Sequence, residues 1–457
     1  MQQALLEKLR QIVGESALRP GAALRERPPA WQTHQPCLAE WVVAPATTAE
    51  VSAVLAACNA EGQSVVPYGG VTNLVQACAT RSADIVLSLA RMNRIEELDS
   101  TAQTLIAGAG LTLHEAQQAA DAAGLFYPVD IGARDSCTLG GNIATNAGGT
   151  RVIRYGMTRD SVLGLEAVLA DGTVLSSMNR YIKNNSGFDL KQLFIGTEGV
   201  LGVVTRAVMR LRAKPRSHNV ALLACPSYDD VLAVLNAARA HLDNALCGFE
   251  VMWDSFYSKV TQPAGRHAPP LPTGYAHYVL VEAMGNDPRS DDLRFAEVLE
   301  QLVSGQHVAD GVIAKSEIER AAIWAIRHEV EWIVTGAQNF DVSLRVNDIG
   351  DYVRNLERAI GAAMSDASVA AFGHLGDNNL HISVLGAGSA AARSEVEQHV
   401  YGELAPYQGA ISAEHGIGLE KRSWLPVSRS AAEIQSMRQL KALLDPRNIL
   451  NPGKVVG

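Results

Sequence analysis

Four side chains able to bind a metal ion or move a proton lie in two short, glycine-bounded segments of this 457-residue sequence. His374 and His381 stand seven residues apart in FGHLGDNNLHIS, and Glu414 and His415 are adjacent in ISAEHGIGLEK. Two imidazoles and one carboxylate suit a divalent ion such as zinc, and three protein ligands leave a position open for water or substrate. An ordinary polar role in a loop is the alternative for each residue taken alone. Together they predict a catalytic metal site of His374, His381 and Glu414, with His415 left over as a base.

Three glycine-rich segments precede these residues. In each of them glycines, whose backbone no side chain covers, alternate with polar residues. They are SVVPYGGVTN at residues 64–73, PVDIGARDSCTLGGNIATNAGG at residues 128–149 and FIGTEGVLGVVT at residues 194–205. Such backbone can lie directly against a flat or phosphorylated ligand. Irregular loops with tight turns are the structural alternative.

The known nucleotide-binding fingerprints do not explain these glycines. Gly108 to Gly110 reads GAG, but Leu113 occupies the place of the third glycine of a dinucleotide fingerprint. No GxxxxGK[ST] segment occurs either. The sequence therefore excludes a Rossmann fingerprint and a P-loop.

Composition narrows the class of protein further. The chain is 47% hydrophobic and 19% charged, as is usual for a globular enzyme of two or three domains. A net charge of -9 disfavours nucleic acid as a partner. No apolar run is long enough to span a membrane, and the first residues predict an amphipathic helix and not a signal peptide. Six widely spaced cysteines fit reduced thiols in the cytoplasm.

The pattern of elements changes at Lys214-Pro215-Arg216. Before this point a helix over residues 48–62 and a hairpin across Asp171-Gly172 stand among glycine-rich turns. After it, strands and amphipathic helices are interleaved, with strands predicted over residues 368–373 and 379–385. This order predicts an α+β domain in which helices cover one face of an antiparallel sheet.

Six motifs in this order are similar to those of a known family. They are PYGGVTNL, PVDIGARDSCTLGGNIATNAGG, KNNSGFDLKQLFIGTEGVLGVVT, GHLGDNNLHISV, SAEHGIGLEKR and LDPRNILNPGK. The chain resembles the FAD-dependent D-2-hydroxyacid dehydrogenases of the vanillyl-alcohol-oxidase type flavoprotein superfamily. Within them it is most like the D-2-hydroxyglutarate dehydrogenases, with D-lactate dehydrogenases and the glycolate oxidase flavin subunit nearby. The resemblance extends from about residue 47 to residue 454.

The resemblance implies an α+β fold with a two-part FAD-binding domain. Residues 1–214 and the C-terminal tail, 426–457, would form this domain, and residues 215–425 would form a substrate-binding cap that carries the metal site. A set of small and polar residues would hold the flavin: Pro67, Gly69, Gly70, Thr72, Asn73, Pro128, Asp130, Thr138, Gly140, Gly141, Asn142, Thr145, Gly148, Glu198, Gly199, Val204 and Asn451. Relatives with covalent flavin have a histidine in the first glycine loop. None stands between Pro67 and Leu74, so we expect non-covalent FAD.

The resemblance also implies the chemistry. The metal ion, Zn²⁺ or another divalent ion, would bind the hydroxyl and carboxylate oxygens of a D-2-hydroxy acid. His415 would take the hydroxyl proton while a hydride passes to FAD, giving the 2-oxo acid. Arg327 matches a family arginine that clamps the substrate carboxylate.

Departures from the family pattern bear on the substrate. Glu331, Asn339 and Ser383 stand where the 2-hydroxyglutarate enzymes have Thr, Lys and Asn. Loss of a lysine weakens binding of a distal carboxylate unless Arg345 substitutes for it. The resemblance as a whole still favours D-2-hydroxyglutarate as the substrate, and these departures make D-lactate or an acid with an apolar chain the alternative.

Two other kinds of protein remain as alternatives. One is a flavin oxidase that uses oxygen and no metal, and the other is a flavin-binding subunit without hydroxy-acid activity, as in a multi-subunit glycolate oxidase. For the dehydrogenase, we expect electron-transferring flavoprotein, a quinone or a cytochrome as acceptor. A homodimer is expected, located in the cytoplasm or peripherally at the inner membrane.

Overall fold

The chain divides into two compact units. A computed structural model describes residues 3–25, 35–261, 266–330 and 336–457. The first unit contains Met1–Gly148, Gly156–Lys214 and Glu414–Gly457, and the second contains Gly149–Tyr155 and Pro215–Ala413. The sequence predicts divisions after residues 214 and 425, and these two units divide the chain after Lys214 and after Ala413. The backbone that follows Glu414 is hydrogen-bonded within the first unit.

Two sheets and a two-stranded ladder organise the first unit. The four-stranded sheet has the order β1-β2-β4-β3, formed by Leu18–Pro20 (β1), Trp41–Val43 (β2), Val65–Tyr68 (β3) and Ile85–Ser88 (β4). The antiparallel five-stranded sheet has the order β5-β6-β10-β8-β9. Its strands and the pair β7 and β11 are Ile95–Asp99 (β5), Thr104–Gly108 (β6), Leu125–Phe126 (β7), Val162–Val168 (β8), Val174–Ser177 (β9), Val203–Arg210 (β10) and Arg212–Ala213 (β11).

The helices of this unit pack on the sheets. They are Gln3–Val13, Ala22–Arg25, Thr48–Glu61, Leu113–Ala122, Leu139–Thr145, Thr158–Ser161, Leu425–Ser428 and Ala431–Leu444. The helix predicted after Thr47 is confirmed: the Thr47 side chain accepts a hydrogen bond from the Glu50 amide, and Gly62 ends the helix in the left-handed conformation. Such local signals place the helix without help from the rest of the fold.

A seven-stranded antiparallel sheet forms the centre of the second unit, within its described residues. Its order is β15-β12-β14-β13-β17-β18-β16. The strands are Ser217–Cys225 (β12), Leu246–Trp253 (β13), His277–Gly285 (β14), Asp310–Ile313 (β15), Gln338–Ser343 (β16), Ser368–Gly373 (β17) and Asn379–Leu385 (β18). The predictions for β17 and β18 are confirmed residue for residue, whereas β13 was not predicted.

Helices cover both faces of this sheet, so the prediction of a single covered face is wrong. The helices are Val152–Tyr155, Tyr228–Leu242, Asp254–Thr261, Pro288–Ser304, Glu317–His328, Val346–Ala363 and Ala390–Gly402. Phe256 and Ile326 pack with Leu222 of β12 on one face. Ser217, on the opposite face of β12, donates to Asp291 of the Pro288–Ser304 helix. Strands β13 and β14 are accordingly buried at every position. They therefore lack the alternation of apolar and polar residues that marks a strand with one exposed face.

None of the helices in the described part of the chain is long and apolar enough to cross a membrane.

Candidate functional site

The two predicted histidine ligands lie together on the β17–β18 hairpin of the second unit. His374 follows the last residue of β17, and a short turn with Asn378 in the left-handed conformation (φ 74°) returns the chain into β18. His381 lies in β18 opposite Phe372. The two imidazole rings meet edge to face with 5.2 Å between centroids. The hairpin therefore presents both histidines at one place.

A fully buried carboxylate, Glu250 in β13, fixes the orientation of His374. Its Oε1 lies 2.7 Å from Nδ1 of His374, and its Oε2 accepts from Nε of Arg327, also at 2.7 Å. Because a carboxylate only accepts, Nδ1 of His374 is the donor in this contact, and Nε2 lies on the opposite edge of the ring. Burial alone would raise the pKa of Glu250, but His374 and Arg327 outweigh it and hold that pKa below its ordinary value.

A second buried carboxylate, Asp341, faces His381 from the neighbouring strand β16. The two residues are cross-strand partners, with 3.8 Å between Oδ1 of Asp341 and Nδ1 of His381. Asp341 also accepts from Nδ2 of Asn379 at 2.6 Å and from the amide of Ala413 at 3.0 Å. Asp341 thus holds the last residue of the second unit beside the strand pair that carries His381.

Arg327 is buried, with only 3% of its surface exposed. Its guanidinium lies over the Phe372 ring, 4.9 Å from the centroid, and its Nε is bound to Glu250. Its Nη2 is buried and has no hydrogen-bond partner among the described residues. One edge of the guanidinium is therefore held by the protein while a donor remains for a ligand.

The positions that depart from the family pattern carry no cation in the described structure. Asn339 accepts a hydrogen bond from the Ser383 hydroxyl at 2.7 Å across β16 and β18. Glu331 lies outside the described residues. Arg345 has a side chain that is 79% exposed and pairs with Asp348 at 2.6 Å. Arg345, named above as a possible substitute for the missing lysine, is thus paired with Asp348 in this arrangement.

In the first unit, the three glycine-rich segments line one cavity of about 340 Å³. Most of the residues predicted to hold flavin line it: Pro67, Gly69, Gly70, Thr72, Asn73, Thr138, Gly140, Gly141, Asn142, Thr145, Gly148, Glu198, Gly199, Val204 and Asn451. Pro128 and Asp130 are not part of its wall. The Asp130 carboxylate turns instead to Arg134, with 2.9 Å between Oδ1 and Nη2.

The same cavity wall contains Glu414 and His415, which the sequence assigned to the metal site. It also holds a buried acceptor, Oδ1 of Asn451, which has no hydrogen-bond partner among the described residues. The Nδ2 of Asn451 is fixed by the carbonyls of Ala77 and Glu198. An orphaned amide oxygen in a glycine-lined cavity fits a ligand with hydrogen-bond donors, as the flavin and ribose of FAD have.

Close packing of two loops explains one of the glycines better than contact with a ligand. A Cβ on Gly70 would lie 2.0 Å from the carbonyl oxygen of Ser136. The first glycine loop can therefore reach the second only where a side chain is missing.

Comparisons with known proteins agree with this geometry. A model of the FAD-binding domain family matches residues 39–177, and a model of the C-terminal domain of FAD-linked oxidases matches residues 214–455. The mitochondrial D-2-hydroxyglutarate dehydrogenase of Bos taurus is 39% identical over 90% of this chain and 76% of its own length. The D-2-hydroxyglutarate dehydrogenase of Stutzerimonas stutzeri is 35% identical over 99% of this chain and 98% of its own length.

Solved structures with low sequence identity share the fold. p-Cresol methylhydroxylase superposes with a TM-score of 0.80 at 14% identity, covering 100% of this chain and 98% of its own. Alkyldihydroxyacetonephosphate synthase superposes with a TM-score of 0.77 at 16% identity, covering 99% and 85%. These likenesses show that the chain shares the fold of the two proteins.

The chain belongs to the family of FAD-linked oxidases and is an FAD-dependent oxidoreductase. The family and the fold class predicted from the six motifs are thereby confirmed.

Sequence reasoning missed Glu250, the carboxylate that orients His374, and Asp341, the carboxylate that faces His381. The available signal for Glu250 is its place within the apolar run LCGFEVMW, since an ionised group in a buried strand needs a partner. Asp341 had no comparable signal, because its partner is set by the pairing of β16 with β18.

Proposed function

We propose that this protein is a metal-assisted, FAD-dependent dehydrogenase that oxidises a D-2-hydroxy acid to the 2-oxo acid. The observation that carries the proposal is the position of His415 in the wall of the glycine-lined cavity. A proton acceptor and the flavin would then share one cavity, as removal of a hydride and a proton from one carbinol group requires. The names of the relatives support the substrate class.

The proposed ligands of the metal are His374, His381 and Glu414. The donor set fits a divalent ion with an open position, and because Nδ1 of His374 faces Glu250, Nε2 is the ring nitrogen proposed to bind the ion. Glu414 directly follows Ala413, whose amide is bound to Asp341, and consecutive Cα atoms are only about 3.8 Å apart. Chain connectivity thus supports Glu414 as the third ligand, which stays a prediction.

His415 and Arg327 have the remaining roles in the proposed reaction. When bound, FAD supplies the hydride acceptor and a divalent ion lowers the pKa of the substrate hydroxyl. His415 accepts the hydroxyl proton. Arg327 offers its Nη2 to the substrate carboxylate, while Glu250 fixes the other edge of the guanidinium. The acceptor that reoxidises the flavin is proposed to be electron-transferring flavoprotein, a quinone or a cytochrome.

The substrate side chain has two candidates. D-2-Hydroxyglutarate is favoured by the names of the relatives. The Asn339–Ser383 hydrogen bond favours an acid without a distal carboxylate, such as D-lactate, because neither residue neutralises a second negative charge. The Arg345–Asp348 ion pair points in the same direction.

Anaerobic bleaching of the flavin absorbance tests the function. The holoenzyme is mixed with the D- and L-forms of 2-hydroxyglutarate, lactate, malate and mandelate, before and after treatment with a chelator. We expect fast bleaching by one D-acid and its loss after chelation, restored by Zn²⁺. Bleaching that survives removal of the metal would contradict metal assistance, and bleaching by none of the acids would contradict the dehydrogenase.

Substitution of His415 separates catalysis from flavin binding. His415→Ala should retain FAD and lose flavin reduction, because the proton acceptor is missing. His114→Ala is the matched control, since His114 is a half-exposed histidine of the same unit that is not part of the cavity wall. A wild-type rate in His415→Ala would remove this residue from the mechanism.

A further inference from the structure

Glu198 was predicted to contact flavin, but its carboxylate binds the protein backbone. Its Oε1 accepts from the amide of Ile417 at 2.7 Å, and its Oε2 accepts from the amide of Gly418 at 2.9 Å. Both amides belong to the turn EHGIG that begins with Glu414 and His415. Two successive N–H groups directed at one anion form a small backbone nest. The anion here comes from the protein itself.

The carboxylate of Glu198 packs closely against the EHGIG turn. Gly416 has φ 85°, and a Cβ at this position would lie 2.7 Å from Oε1 of Glu198. Glu198 itself is only 7% exposed and has φ 53°, a conformation that is uncommon for a residue with a side chain. Strain of this kind persists only where surrounding contacts impose it.

The backbone of Glu198 is fixed from both sides. Its amide donates to the carbonyl of Ala144 at 2.8 Å, and its carbonyl accepts from Nδ2 of Asn451 at 2.8 Å. Beyond the turn, the amide of Leu419 donates to the carbonyl of Val75, which follows the first glycine loop. The EHGIG turn is thus held between two of the segments that line the cavity.

We propose that Glu198 is a positioning residue for His415 and Glu414, and that it sets their direction by holding the turn at residues 416–418. The proposal rests on the function proposed above. Glu198 lines the same cavity as His415. Its contacts therefore affect both the position of the proposed base and the shape of the cavity proposed to bind flavin. Without the Glu198 carboxylate, the side chains of His415 and Glu414 are still present, but the backbone at residues 416–418 that sets their direction is no longer held.

The substitution Glu198→Gln tests this role, because it removes the negative charge and leaves the volume of the side chain nearly unchanged. The amide side chain keeps one acceptor oxygen but turns an NH₂ group toward the other backbone N–H. Glu166→Gln is the matched control, because Glu166 is a buried carboxylate of the same unit, bound to Thr48 and Ser176, and does not line the cavity. Thermal unfolding should show comparable losses of stability in the two variants.

We expect Glu198→Gln to retain FAD and to reduce the flavin about 10- to 100-fold more slowly at saturating substrate, with a smaller change in KM and a shifted pH profile. Glu166→Gln should keep the wild-type rate and profile. A wild-type rate and profile in Glu198→Gln, rates that fall equally in both variants, or loss of FAD from Glu198→Gln alone would each overturn the positioning role.

Hydrogen exchange provides a readout that does not depend on activity. The amides of Ile417 and Gly418 should be protected in the wild-type holoenzyme and exchange faster in Glu198→Gln, with the other cavity segments unchanged. Equal exchange in both proteins would overturn the proposal. If the wild-type protein bleaches with no hydroxy acid, the proposed function fails, and exchange still decides whether Glu198 holds the turn.

Discussion

At the scale of single residues, Glu250 links two functional side chains of the second unit, His374 and Arg327. It is fully buried and accepts from both His374 and Arg327. A buried carboxylate is stable only when such partners compensate for lost hydration. The same contacts select the tautomer of His374 and fix one edge of Arg327. One carboxylate therefore serves the metal and the substrate carboxylate in the proposed mechanism.

Glu250→Gln should lower both metal content and activity. The neutral side chain no longer favours a proton on Nδ1 of His374 and no longer balances Arg327, so we expect losses of about 10- to 100-fold in metal affinity or flavin reduction rate. Metal analysis of the purified protein and stopped-flow absorbance measure the two effects.

Glu317→Gln provides the control for Glu250. Glu317 also pairs with an arginine, Arg320, but its side chain is 77% exposed. An exposed pair contributes little, so metal content and rate should remain those of the wild type. Full metal content in Glu250→Gln would refute the orienting role of Glu250.

At the scale of elements, the Glu317–His328 helix is tied to the sheet by two buried carboxylates. Nε1 of Trp324 donates to Glu282 of β14 at 3.0 Å, and one turn later Nε of Arg327 donates to Glu250 of β13. Residues three apart lie on one face of a helix, so both contacts point toward the sheet. Trp324 thereby fixes the rotation of the helix that presents Arg327.

Trp324→Phe should weaken substrate binding more than the chemical step. It removes one hydrogen bond to a charged carboxylate, worth about 1.5–3 kcal/mol of stability, while His218 and Arg151 still compensate Glu282. We expect KM for the hydroxy acid to rise several-fold with a smaller change in kcat, as steady-state kinetics would show. A loss of thermal stability without any change in KM would limit Trp324 to a structural role.

At the scale of the whole molecule, stability should fall in mild acid because of a buried histidine. His277 is 8% exposed and packs edge-on against the rings of Tyr228 and Trp253, which stack on each other. Burial lowers the pKa of His277 from 6.5 to about 4, despite the opposing charge of Asp230. Below pH 6.5 the unfolded chain binds a proton that the folded protein does not. Stability from this residue is therefore complete above pH 6.5 and is lost progressively down to about pH 4.

His277→Phe should reduce this dependence. Between about pH 7.5 and about pH 5 the histidine accounts for a loss of about 2 kcal/mol in the wild type, which the variant does not suffer. Chemical denaturation at the two pH values measures the difference. His241→Gln, a change of an exposed histidine in the same unit, is the control and should follow the wild type. If the free energy of unfolding of His277→Phe fell between the two pH values as much as that of the wild type, His277 would not be the cause of the acid sensitivity.

Much of this protein follows from local sequence. Thr47 and Gly62 delimit a helix through their own caps, and β17 and β18 are short, largely apolar runs on either side of a turn that contains glycine. The glycine-rich segments likewise predict most of the cavity wall, because bare backbone next to hydroxyl and amide groups has few other uses. These signals lie within a few residues of the elements that they determine.

Only the tertiary structure decided which carboxylates act on these elements. Glu250 lies 124 residues from His374, and Glu198 lies 219 residues from Ile417. Neither separation leaves a pattern in one sequence, because the contacts depend on the pairing order of strands and on how loops fold back. The direction of a side chain is likewise set by its surroundings, so Glu198 could be placed at the cavity from its motif, whereas its bond to the EHGIG turn required the fold.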